Sequence, residues 1–131
     1  ETDFKTYRKV AQQEINRQIE IVEEDPLDFL SYYELGHAYL ALGRHEEEVQ
    51  AYKEALKLNP KYAQAHYNLS MAYDHMKIGE KAINHMQKAL DLYATKRNHR
   101  KIRTTQRQLK RFYMSYPGEA GSASSEKARN R

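Results

Sequence analysis

Cysteine and tryptophan are absent from this 131-residue sequence, and glycine (5), proline (3) and phenylalanine (3) are scarce. Without cysteine there is no disulfide, no thiolate metal ligand and no cysteine nucleophile. Few glycines and prolines, with 40% hydrophobic and 31% charged residues, fit a helical chain better than a turn-rich β-sandwich. No apolar run approaches the ~18 residues of a membrane-spanning helix, and Glu1-Thr2-Asp3 opens without a basic-then-apolar leader. The missing initiator Met is what a processed product or a fragment of a longer chain would show. Tyrosine is the abundant aromatic, with 11 copies.

The net charge of +4 hides an asymmetry. Residues 1–94 hold 11 Lys and Arg against 16 Asp and Glu, whereas residues 95–131 hold 11 against 2. An acidic body followed by a basic end implies that the end meets an acidic surface, and says nothing about fold.

An internal repeat organises the middle of the chain. Residues 29–62 laid over 63–96, a shift of 34, give eight identities: Tyr33/Tyr67, Leu35/Leu69, Ala38/Ala72, Tyr39/Tyr73, Glu46/Glu80, Ala55/Ala89, Leu56/Leu90 and Leu58/Leu92. Unrelated stretches of average composition give about two. Seven of the eight pairs are apolar or aromatic and recur at helical spacing, so each copy reads as a helix-turn-helix. In the first, Asp28 is the expected N-cap, Phe29, Tyr32, Leu35, Tyr39 and Leu42 form a stripe, and Gly43 is the stop. A second helix runs from about Glu46 to Leu58 and ends at Asn59-Pro60, because the proline ring disfavours a helical residue before it. The second copy repeats this over Tyr62–Met76 and Glu80–Leu92.

Two helices flank the repeats. Phe4, Tyr7, Val10, Ala11, Ile15, Ile19 and Val22 predict one apolar stripe on a helix of about twenty residues that stops at Asp25-Pro26. Ile102, Thr105, Leu109, Phe112 and Tyr113 predict another, from about Lys96 to Met114. Residues 115–131, rich in Gly, Ser and charge, are expected to be a solvated tail.

These residues resemble the tetratricopeptide repeat, whose 34-residue pattern runs aromatic, Leu-Gly, Tyr, Ala, aromatic, Pro. The first copy supplies Tyr32, Leu35, Gly36, Tyr39, Tyr52, Ala55 and Pro60, departing at Glu48, where the family usually has Ala. The second supplies Leu69, Tyr73, Ala82 and Ala89, with His66, Ser70, Met86 and Ala94 at the remaining positions. The resemblance implies an all-α, right-handed superhelix (an α-solenoid) of about 2.5 helix-turn-helix units. Its expected segments are a partial repeat (1–25), two repeats (26–61 and 62–94), a basic capping helix (95–114) and the tail (115–131). Tyr32, Tyr39, Tyr52 and Tyr73 are then packing residues between helices.

In this family the first helix of each pair lines a concave groove that holds a partner's peptide or helix. The positions so implied are Leu30, Tyr33, His37 and Leu40, then Gln64, Tyr67, Asn68, Met71, Asp74 and His75, all expected to be exposed in the absence of a ligand. The family's chaperone-binding branch clamps a terminal carboxylate with Lys, Arg and Asn across three repeats. Here only Asn68 matches, Tyr33 and His37 replace a Lys and an Asn, and Asn98 and Ile102 replace the basic residues of a third repeat. A heat-shock-chaperone C-terminal peptide of the Hsp70 or Hsp90 type is therefore disfavoured as a ligand.

No chemistry-bearing constellation stands out. The six histidines form no pair at i,i+3 or i,i+4, and HExxH, GxSxG and phosphate-cradling glycine loops are absent. Glu46-Glu47-Glu48 reads as a solvated helix start. A non-catalytic scaffold with no cofactor and no metal is expected. Arg97, Arg100, Lys101, Arg103, Arg107, Lys110 and Arg111 surround the last apolar stripe and offer an alternative, an electrostatic adaptor for an acidic protein. Nucleic acid or a membrane is disfavoured there, because the basic face lacks base-stacking aromatics. A third reading is a homo-oligomeric assembly in which the terminal helix enters a neighbour's groove.

Overall fold

In the computed structural model, residues 2–119 are described, and they are helical with no strand among them. Six α-helices lie wholly within the described residues, in order: α1 Thr2–Glu24, α2 Phe29–Ala41, α3 His45–Leu58, α4 Ala63–His75, α5 Gly79–Thr95 and α6 His99–Ser115. None is long and apolar enough to cross a membrane.

Helix boundaries follow local chemistry. Asp28 caps α2: its carboxylate accepts the Ser31 amide at 3.2 Å and the Ser31 hydroxyl at 2.9 Å. Gly43 ends the same helix at φ +68°, where a residue without Cβ costs least. Lys77, 34 residues on, takes a left-handed φ of 60° at the equivalent turn without being glycine. Arg97 does the same at φ 54° after α5, so α6 begins not at Lys96 but at His99, capped by Asn98, whose side chain accepts the Lys101 amide at 3.2 Å. Helix α5 runs to Thr95, three residues past the predicted Leu92.

The chain divides into two compact units, Glu1–Ala65 and His66–Arg131. In the first, Ile15, Leu35, Ala38 and Ala51 form a core against which Ile19, Tyr39 and Leu42 pack. Tyr52, fully buried, lies against Gly36, where a Cβ would overlap its ring. The predicted stripe on α1 is only partly used: Ala11 and Ile15 are buried, but Phe4, Tyr7 and Val10 remain 64%, 54% and 57% exposed. Length explains the difference. Helix α1 has 23 residues and its neighbour α2 has 13. At ~1.5 Å per residue the first turns of α1 overhang.

In the second unit Ala82, Ile83, Met86, Ala89 and Tyr93 of α5 are buried, as are Leu69, Ala72 and Tyr73 of α4 and Thr105, Leu109 and Phe112 of α6. Ser70, where the family has glycine, is fully buried and donates its hydroxyl to the Ala82 carbonyl, so the small polar side chain is satisfied at the α4–α5 contact. Tyr116, predicted to lie in the solvated tail, instead packs its ring on Phe112 (centroids 6.4 Å apart) and against Gly79. Residues 120–131, the greater part of that predicted tail, lie outside the described residues.

Candidate partner-binding face

The second unit brings together two features that the sequence presents separately, the α4 positions and the basic last helix. Thr105, Leu109 and Phe112 fix the inward side of α6, which leaves Arg100, Lys101, Arg103, Arg107, Lys110 and Arg111 exposed, while Arg97 lies exposed in the preceding turn. Arg111 reaches α4. Its guanidinium donates to Asp74 Oδ2 at 3.2 Å, lies 4.0 Å from Met71 Sδ and is braced by Gln108 Oε1 at 2.9 Å. Tyr67, one turn before Met71, bonds to Gln108 and sits in the fields of Arg111 and Arg107. Burial pushes its phenol above the ordinary tyrosine range, with the Gln108 bond and the two cations opposing.

Asp74 is not the exposed groove residue the sequence predicts. It is 8% exposed, and both carboxylate oxygens are engaged, one by Arg111 and the other by the Tyr116 hydroxyl at 2.7 Å. A buried carboxylate persists only when donors satisfy it, and the end of α6 supplies them. Burial, reinforced by the bond to Asp74 and its charge, pushes the Tyr116 phenol up to about 12. Tyr67, Asn68 and Met71 are half-buried and His75 is exposed.

In the first unit Tyr33 is also a correction. It is 7% exposed, with its ring 5.0 Å from Tyr62 and 5.8 Å from Tyr52, and its hydroxyl 3.1 Å from His37 Nε2. It is therefore a core aromatic, drawn inward because a large amphipathic ring gains more from packing than from water. His37, Leu30 and Leu40 are exposed and Gln64 is half-buried.

Two further placements differ from the sequence reading. Glu48, read as part of a solvated acidic run, is 1% exposed and bonded to His45 Nδ1 at 2.9 Å. Burial pushes its carboxyl up, opposed by the bond to His45 and its charge. His66 and His85 meet across α4 and α5, Nδ1 to Nδ1 at 3.1 Å, so one ring donates and the other accepts. The pair joins two helices and is 19 residues apart, so no i,i+3 or i,i+4 spacing marks it in the sequence. Among the described residues no group of three His, Cys, Asp or Glu side chains is placed to hold a metal ion.

Comparison with known proteins agrees with this architecture. Family models match as a TPR repeat over residues 36–74 and as tetratricopeptide repeats over residues 20–50 and 63–96, running without a gap from 20 to 96, more than half of the sequence. The chain belongs to the tetratricopeptide repeat family, and its fold is all-α, of the α-solenoid class.

Among curated relatives, the chain is 40% identical over 48 residues to the tetratricopeptide repeat and J domain-containing co-chaperone of Cryptococcus neoformans, covering 37% of this chain and 9% of that protein. It is 33% identical over 69 residues to the peroxisomal targeting signal receptor of Candida glabrata, covering 53% of this chain and 12% of the receptor. The chain thus spans about a tenth of the length of these relatives. Among solved structures, MamA MSR-1 superposes with a TM-score of 0.62 at 28% identity, over 71% of this chain and 55% of MamA. The Yersinia enterocolitica type III secretion translocator chaperone SycD superposes with a TM-score of 0.75 over 89% and 88%, and at 12% identity that likeness is one of fold alone.

Proposed function

We infer that the chain is a non-catalytic scaffold whose second unit takes a partner's peptide or helix on the face shared by α4 and α6, and that the partner segment carries carboxylates. One observation carries this reading: Arg111 bridges Met71 and Asp74, so the half-buried Tyr67 and Met71 and the exposed cations of α6 form one continuous surface. An apolar, adaptable centre of tyrosine and methionine rimmed by arginine and lysine has the composition of a protein-binding patch. Arg111 and Asp74 neutralise each other, which leaves Arg103, Arg107 and Lys110 to set the charge of the rim and favour an acidic segment.

Peptides selected from a displayed random library on the intact chain test the reading. Binders enriched in Asp and Glu are expected, with affinity lost on Tyr67→Ala plus Met71→Ala and reduced on Arg107→Ala plus Lys110→Ala, at unchanged helix content. Selected peptides whose binding ignores both pairs of substitutions would remove this face from consideration.

A further inference from the structure

A second charged feature lies in the first unit, whereas the basic end of the chain belongs to the second. That unit is acidic, with 8 Lys and Arg against 13 Asp and Glu, yet half of its cations line a single cavity. Lys5, Arg8, Lys9 and Gln12 come from the first turns of α1, and Leu42 and Arg44 from the turn between α2 and α3, enclosing an open space of about 590 Å³. Among the described residues, Glu47 is the one carboxylate ion-paired with any of the four cations, and it engages Arg44.

Both guanidinium groups are positioned by aromatic rings. Arg8 lies over Phe4 at 5.3 Å from the ring centre, and Arg44 over Tyr39 at 5.0 Å. A held guanidinium presents a planar fork of donors that matches phosphate oxygens and loses little freedom on binding. Gathering four like charges around one cavity in a unit of net charge −5 costs electrostatic free energy that a multiply charged anion would relieve.

We propose that this cavity binds a phosphate-bearing anion of several negative charges, through Lys5, Arg8, Lys9 and Arg44 with Gln12 as a neutral donor. The shared chemistry is a cluster of phosphate groups, either on a small solute or on a lipid headgroup. Phe4, Tyr7 and Val10, exposed on the same overhanging turns of α1, are available to sink into the headgroup boundary of a bilayer if the source is a lipid.

The residues to be changed are all exposed, so the test does not depend on the core. Titration calorimetry with tripolyphosphate, and sedimentation with phosphatidylcholine vesicles with and without a phosphoinositide, compare the intact chain with the variant Lys5→Ala, Arg8→Ala, Lys9→Ala. Loss of three charge-assisted contacts predicts at least a tenfold weakening, and binding that falls with added salt. The variant Arg103→Ala, Lys110→Ala on α6 is expected to bind as the intact chain does. Tripolyphosphate binding alone supports a small solute, and phosphoinositide-dependent sedimentation alone supports a headgroup. No binding to either probe at low salt overturns the proposal, as does binding that survives the α1 variant or is lost in the α6 variant. Poly-glutamate bound as tightly as tripolyphosphate and released by the α1 variant would also overturn it, by showing a site for acidic chain rather than phosphate.

Discussion

The Tyr116 hydroxyl donates to Asp74 Oδ1 at 2.7 Å, which ties the residue after the last helix to the last turn of α4. With Arg111 on the other oxygen, this bond makes the buried carboxylate a fixed element of the candidate face rather than a ligand-facing charge. Gly79 makes room for the ring, since a Cβ there would overlap Tyr116.

This bond has an alkaline signature. The phenol holds its proton more tightly folded than unfolded, so its contribution is fully present below the ordinary tyrosine value of about 10 and is lost as pH rises through about 12. Chemical denaturation between those pH values is expected to show a loss of stability in the intact chain that is smaller in Tyr116→Phe. Equal losses in both would show that the hydroxyl does not report on the fold.

Gly36 is fixed by its neighbour rather than by its backbone angles. A Cβ there meets the Tyr52 ring, which has no room to retreat, so Gly36→Ala is expected to cost about 1–3 kcal/mol of unfolding free energy. Tyr52→Leu in the same chain relieves the overlap, so the double variant is expected to be more stable than the sum of the two single changes allows. Strict additivity in urea unfolding would contradict the packing described.

Glu48 titrates inside the first unit. Burial raises its folded carboxyl value above 4.5, so the unfolded chain releases the proton first and the penalty on folding grows as pH rises through that window. Glu48→Gln carries no such penalty. The intact chain is expected to lose stability relative to this variant as pH rises above the ordinary glutamate value of about 4.3, as measured by thermal unfolding. A constant difference across that range would show that the carboxyl is not held by burial.

The helices and their pairing into repeats were legible in the sequence, because the 34-residue register and the caps at Asp28 and Gly43 are local chemistry that a one-dimensional string preserves. Which residues of a half-apolar face end up inside was not. Tyr33, Glu48 and Asp74 all sit at helical positions that read as exposed, and all three are buried: Tyr62 from the next turn reaches Tyr33, Arg111 and Tyr116 reach Asp74 from the far end of the unit, and Glu48 is held by His45 of its own helix.

The same holds for charge. Composition placed the cations at the end of the chain, but only the approach of α1 to the α2–α3 turn gathers Lys5, Arg8, Lys9 and Arg44, some 35 positions apart, around one space. Sequence determined the class, the repeat length and the ends of α2 at Asp28 and Gly43, since these depend on neighbours a few residues away. Tertiary structure alone decided burial, pairing and convergence, because those depend on which distant side chains the packing brings within a few ångströms.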